Sequence, residues 1–148
     1  MTASPTPPVE VGRFNHAAIV SLDVERSVAF YASVLGFRRT ARPAFSFDGA
    51  WLYCDGLGMM LHLIHDAAFD PTPPATKRLN HLAFRVDVDH AKERLTALGV
   101  DFREKRLPTL GYRQLFLLDP DGHQLELGEW PEPEELARLP FPTPQPPG

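Results

Sequence analysis

Apolar and polar positions alternate in short runs along this chain, and a stretch of helical spacing interrupts them twice. Phe14 to Val20 alternates in the manner of a strand. From Val24 to Leu35 the spacing changes, with Val28, Tyr31 and Leu35 on one stripe, which predicts a helix. Ser21 and Asp23 are candidate caps at its start, and Gly36 is a natural terminator. Three strands fit the rest of this half: Phe37 to Arg42, Ala50 to Cys54, and Met59 to Ile64. Asp55-Gly56-Leu57-Gly58 supplies the hairpin turn between the last two.

The order then recurs. Leu79 to Val86 reads as a strand, Asp89 to Leu98 as a helix ended by Gly99, and Val100 to Lys105 as a strand. Arg113 to Leu118 and Gln124 to Gly128 form a hairpin around Asp119-Pro120-Asp121-Gly122. The expected architecture is α+β, two tandem βαβββ modules at about 13–66 and 79–130. Before them, residues 1–12 hold Pro5, Pro7 and Pro8 without apolar periodicity and read as a disordered arm. After them, 131–148 is a Pro-rich tail with extended, partly polyproline-like character.

The repeat carries side chains of ligand type. Asn15-His16 opens one apolar run, and Asn80-His81 opens another 65 positions later. His62 lies in Leu61-His62-Leu63, and Glu126 in Leu125-Glu126-Leu127 64 positions later. Strand side chains alternate faces, so the flanking apolar residues pack under the helices while His16, His62, His81 and Glu126 take the helix-free face. Curved sheets facing each other would turn those faces into one metal-binding cleft. Three imidazoles and a carboxylate suit one divalent transition metal (zinc, iron, nickel, manganese or cobalt) and disfavour calcium or magnesium. His65, His90 and His123 have the wrong phase, or lie in a turn or helix, and are expected on the surface.

Composition narrows the class without naming the chemistry. A net charge of −4 and no cluster of Lys and Arg argue against nucleic acid. Cys54 is the only cysteine, which excludes an internal disulfide. No apolar run approaches the roughly 20 residues of a membrane span, and no signal peptide is evident, so a cytoplasmic protein is the expectation.

The chain resembles the vicinal oxygen chelate superfamily, which holds glyoxalase I, extradiol dioxygenases, methylmalonyl-CoA epimerase, and fosfomycin and bleomycin resistance proteins. The resemblance rests on Asn15-His16, Arg26 to Tyr31 with Leu35-Gly36-Phe37, Asn80-His81, and Asp119 to His123 leading into Leu125-Glu126-Leu127. Arg42-Pro43 and Phe47 to Leu52, followed by His62, look closest to glyoxalase-I-like (lactoylglutathione lyase-like) proteins. The resemblance implies metal ligands at His16, His62, His81 and Glu126, with His62 where glyoxalase I carries Glu or Gln. It also implies a homodimer. The activity implied is a lyase or isomerase acting on adjacent oxygens through an enediolate, with Glu126 as the proton-moving base. The small-molecule substrate would be a glutathione or other thiol adduct, or a similar compound. Phe45, Phe47, Trp51 and Phe116 are candidate pocket walls, and Tyr112, Gln114 and Phe116 candidate substrate contacts. Two alternatives stand beside this: an extradiol-type non-haem iron dioxygenase using His16, His81 and Glu126 as a facial triad, and a resistance protein that sequesters a small molecule or metal.

Overall fold

The computed structural model describes residue 14 and residues 16–73, 79–106 and 111–129. The expected arm at 1–12, Asn15 and the expected tail at 131–148 lie outside the described residues. The chain divides into two compact units, residues 1–69 and 70–148.

The first unit runs β1 (His16–Ser21), α1 (Val24–Leu35), β2 (Arg38–Thr40), β3 (Gly49–Tyr53) and β4 (Met60–His65). Its sheet order is β1-β4-β3-β2. The second runs β5 (Leu82–Arg85), α2 (Val88–Ala97), β6 (Arg103–Arg106), β7 (Arg113–Leu118) and β8 (Gln124–Gly128), in the order β5-β8-β7-β6. Both are βαβββ units of an α+β fold. In each, the first and last strands are parallel and the remaining pairs antiparallel.

The register repeats as well as the order. Ala17 pairs with Leu61 in one unit, and Leu82 with Leu125, their counterparts, in the other. The hairpins differ in one respect. Tyr53 and Met60 close the first, Leu118 and Gln124 the second, which is one residue shorter. That deletion changes the spacing of the repeat from 65 to 64 between its first and last strands.

Burial follows the pleat. Tyr31, Leu52, Leu61 and Leu63 are fully buried in the first unit, and Val88, Leu95, Leu115, Leu125 and Leu127 in the second. Each of these leucines contributes about 1.5–3 kcal/mol through apolar area removed from water. Asp23 caps α1, its Oδ1 accepting from the Arg26 N–H at 3.0 Å. Gly36 ends the helix at φ 72°, a conformation that costs glycine little. Ser21, the other candidate cap, belongs to β1, and its hydroxyl meets the buried Ser27 hydroxyl at 2.9 Å.

Several strand ends differ from the pattern-based expectation. The strand expected over 79–86 is confined to Leu82–Arg85, the residues in register with β8, although the Val86 N–H still donates to the Gly128 carbonyl at 2.8 Å. The strand expected from Val100 begins at Arg103, since the Val100 N–H is still tied to the Leu95 carbonyl behind α2. Asp87, not a residue nearer Asp89, caps α2 and starts it one residue early.

Candidate functional site

In the first unit, Leu61 and Leu63 turn inward, which sends His62 to the helix-free face of β4. Parallel pairing sets Ala18 opposite His62 and leaves His16 one pleat away on the same face. The two imidazoles stack with centroids 4.0 Å apart and planes 15° apart. From the other side Trp51, the cross-strand partner of His62, stacks on it at 4.4 Å and 7°. Three rings thus lie face to face across β3, β4 and β1.

This stack lines a cavity of about 520 Å³ walled further by Arg42, Phe45, Phe47, Met60, Leu63 and Ile64. Nε2 of His62 is buried and has no hydrogen-bond partner among the described residues. Burial holds the His62 pKa below its ordinary value, and the fields of His16 and Arg42 add to the effect. A neutral ring with an unshared lone pair is the form a metal ion or a substrate proton needs. A buried nitrogen left without a partner also carries a desolvation cost that a ligand would relieve.

In the second unit, His81 stands immediately before β5 and Glu126 lies at the centre of β8. Nε2 of His81 is 2.7 Å from Oε2 of Glu126, and its Nδ1 is 2.7 Å from Oδ1 of Asn80. Asn80 therefore fixes the ring, and a proton on Nδ1 would leave Nε2 as the ligating atom. Glu126 is only 5% exposed. Its other oxygen, Oε1, accepts a hydrogen bond from the Gln114 amide. Phe116, opposite Glu126 on β7, presents its ring at 85° to His81 with centroids 6.3 Å apart.

Each unit therefore brings one of the expected pairs together, His16 with His62 and His81 with Glu126. Within neither unit does a group of three or more metal-ligating side chains gather among the described residues. The donor chemistry fits an N/O-bound transition ion: one orphaned imidazole nitrogen, and a second imidazole aimed at a buried carboxylate. Of the expected substrate contacts, Phe116 flanks His81, while Gln114 spends its amide on Glu126. Tyr112 is half-buried before β7 and is not one of this group. His90 is exposed as expected, but His65 and His123 are half-buried. A larger cavity of about 630 Å³ lies beside β6 and β7, against Phe102, Arg103, Phe116 and Leu118. It borders none of His16, His62, His81 and Glu126, whereas the smaller cavity is lined by His16 and His62.

Sequence reasoning missed two roles. Gln114 was expected as a substrate contact without its hydrogen bond to Glu126, and Arg42 was read as part of the family resemblance without a place in the cavity. The signal for Gln114 was its alternation with Phe116, which puts both on the face of Glu126.

Residues 13–127 match the sequence model of the Glyoxalase/Bleomycin resistance protein/Dioxygenase superfamily. The chain belongs to this superfamily. It is 31% identical over 127 residues to Glyoxylase I 4 of Arabidopsis thaliana, covering 81% of this chain and 72% of the relative. It is 32% identical over 117 residues to glutathione transferase FosA of Serratia marcescens, covering 76% and 77%. A glyoxalase family protein of Enterococcus faecalis superposes with a TM-score of 0.65 at 27% identity, covering 79% of this chain and 97% of that one. Among the described residues of this superfamily member, no helix is long and apolar enough to cross a membrane.

Proposed function

We propose that the chain is a metal-dependent, glyoxalase-I-like lyase or isomerase acting on a small substrate with adjacent oxygens, such as a glutathione or other thiol adduct. The observation that carries this reading is the repeated strand register, which sets a ligand-type pair at equivalent places in both units. His16, His62, His81 and Glu126 would hold one divalent transition ion. A bound ion supplies Lewis acidity, drawing electron density from the substrate oxygens and acidifying the neighbouring carbon.

The protein's own groups do the rest. Gln114 holds Oε1 of Glu126, and Oε2, which faces Nε2 of His81, would take the proton from one carbon and return it to the next once that imidazole binds the ion. Burial of Glu126 keeps bulk water from competing for that proton. Asn80 holds the His81 ring so that its Nε2 faces the same oxygen. Trp51 covers one face of the His62 ring and His16 the other.

Glu126→Gln tests the assignment. Turnover of methylglyoxal-glutathione hemithioacetal, or of another compound with adjacent oxygens, should vanish without prior oxygen consumption by the wild type. Metal content should stay near one ion per chain by elemental analysis. Loss of the metal with the activity would make Glu126 chiefly a ligand.

One observation favours a second reading. The His16 and His62 rings, 4.0 Å apart and 15° from parallel, lie in planes that do not meet near the stack, so their in-plane lone pairs do not converge on one ion. His62 could then serve as an acid or base beside a triad of His16, His81 and Glu126, as in an extradiol-type iron dioxygenase. Oxygen uptake with a catechol would select that reading over the isomerase.

A further inference from the structure

Among the described residues, the cavity of the first unit is lined by a single formally charged side chain, and it is a cation. Arg42 is half-buried among aromatic and aliphatic walls, with no Asp or Glu lining the space beside it. Among the described residues, Arg42 has no carboxylate partner within ion-pair distance. Asp48, the acid nearest in sequence, spends Oδ1 on the Gly49 N–H at 2.8 Å. Arg42 is nevertheless held in place. Its Nη2 donates to the Phe47 carbonyl at 2.8 Å, and its guanidinium lies 4.8 Å from the Phe45 ring centroid and 5.0 Å from that of Phe47. Pro43 restricts the backbone at Arg42 to extended conformations.

The fork is only partly used: one amino group meets a carbonyl, and the remaining N–H groups have no acceptor among the described residues. A positioned guanidinium with unused donors beside apolar walls favours an anion, because charge-assisted hydrogen bonds are stronger than neutral ones.

We propose that Arg42 is the specificity-determining residue of this cavity, selecting substrates that join a carboxylate to a flat apolar body. The carboxylate would pair with the free edge of the guanidinium, while the apolar part lies on Phe45, Phe47 and Trp51. This inference rests on the isomerase reading only for the identity of the reacting end. The anion preference itself needs no metal and no turnover.

The test uses 3-phenylpropionate and its neutral counterpart 3-phenylpropanamide, which lack adjacent oxygens, with chelator-treated full-length protein. Binding is read by calorimetry. The wild type should bind the carboxylate about tenfold or more tighter than the amide. Arg42→Gln should abolish the preference, and Arg42→Lys should keep part of it. A purely structural Arg42 would weaken both probes alike in both variants, which would overturn the proposal. So would equal binding of the two probes by the wild type, or no binding of either. Failure of the metal assay with the anion preference intact would sink the isomerase reading and leave this one standing.

Discussion

At the scale of single residues, the carboxylate of Glu126 is the most constrained group in the second unit. It is buried, and each of its oxygens is engaged by a different side chain. Gln114→Met keeps the volume and removes the donor, so one oxygen of a buried anion loses its hydrogen bond. Urea denaturation at pH 7 should show a loss of about 1.5–3 kcal/mol. That loss should shrink in the Glu126→Gln background, because both substitutions remove the same charge-assisted bond. An equal cost in both backgrounds would mean that Gln114 packs rather than orients. The four ligand-type residues were legible from alternation alone: apolar neighbours on either side fix which face a strand residue takes. Partners of those residues were not legible. Whether Gln114 turns toward Glu126 or toward a substrate is decided by cross-strand register, which a one-residue change in the hairpin shifts.

At the scale of elements, α1 and the last two strands matched the sequence pattern because their ends carry unambiguous chemistry. Asp23 and Gly36 bound the helix, and turn residues bound the β7–β8 hairpin. Around α2 the pattern Asp87-Val88-Asp89 offers two acidic caps one turn-step apart, and composition cannot choose between them. The structure chooses by tertiary contact. Asp89 is taken by Arg113 at 2.6 Å, and Arg113 also grips Glu129 at 2.9 Å, leaving Asp87 to the helix. Hydrogen bonds from Arg113 hold the pKa of both Asp89 and Glu129 below the ordinary carboxylate range. Their folded-state values are depressed, so this stabilisation is present above pH about 4 and is lost as pH falls through those lowered values. Arg113→Gln should lower the denaturation midpoint at pH 7, and the gap from wild type should close toward pH 3. A gap independent of pH would show that the guanidinium acts by packing alone. A second element-scale prediction concerns β3. A side chain at Gly49 would overlap the Leu63 carbonyl oxygen and crowd Nη2 of Arg42 at 3.3 Å. Gly49→Ala should cost about 1–3 kcal/mol in denaturant, since a ladder carbonyl cannot retract. It should also disturb the Trp51–His62 stack, read as a change in tryptophan fluorescence.

At the scale of the whole molecule, duplication gives each unit half of the proposed ligand set, and linkage thermodynamics can ask whether the halves serve one ion. An ion that binds only the folded protein stabilises it by about 2.7 kcal/mol at a hundred times its dissociation constant. His62→Ala removes a donor from the first unit and Glu126→Ala one from the second. If both donors hold the same ion, each single variant should lose the metal-dependent rise in thermal midpoint. The double variant should then lose no more, so the effects are strongly non-additive with metal and additive in chelator. Two independent ions would instead give losses that add under both conditions. Mixing the two single variants separates the remaining possibilities. If a site joins the first unit of one copy to the second unit of another, a mixed dimer regains one intact set, and metal-dependent stabilisation returns in part. If each site is completed within a chain, the mixture stays as insensitive to metal as either variant alone.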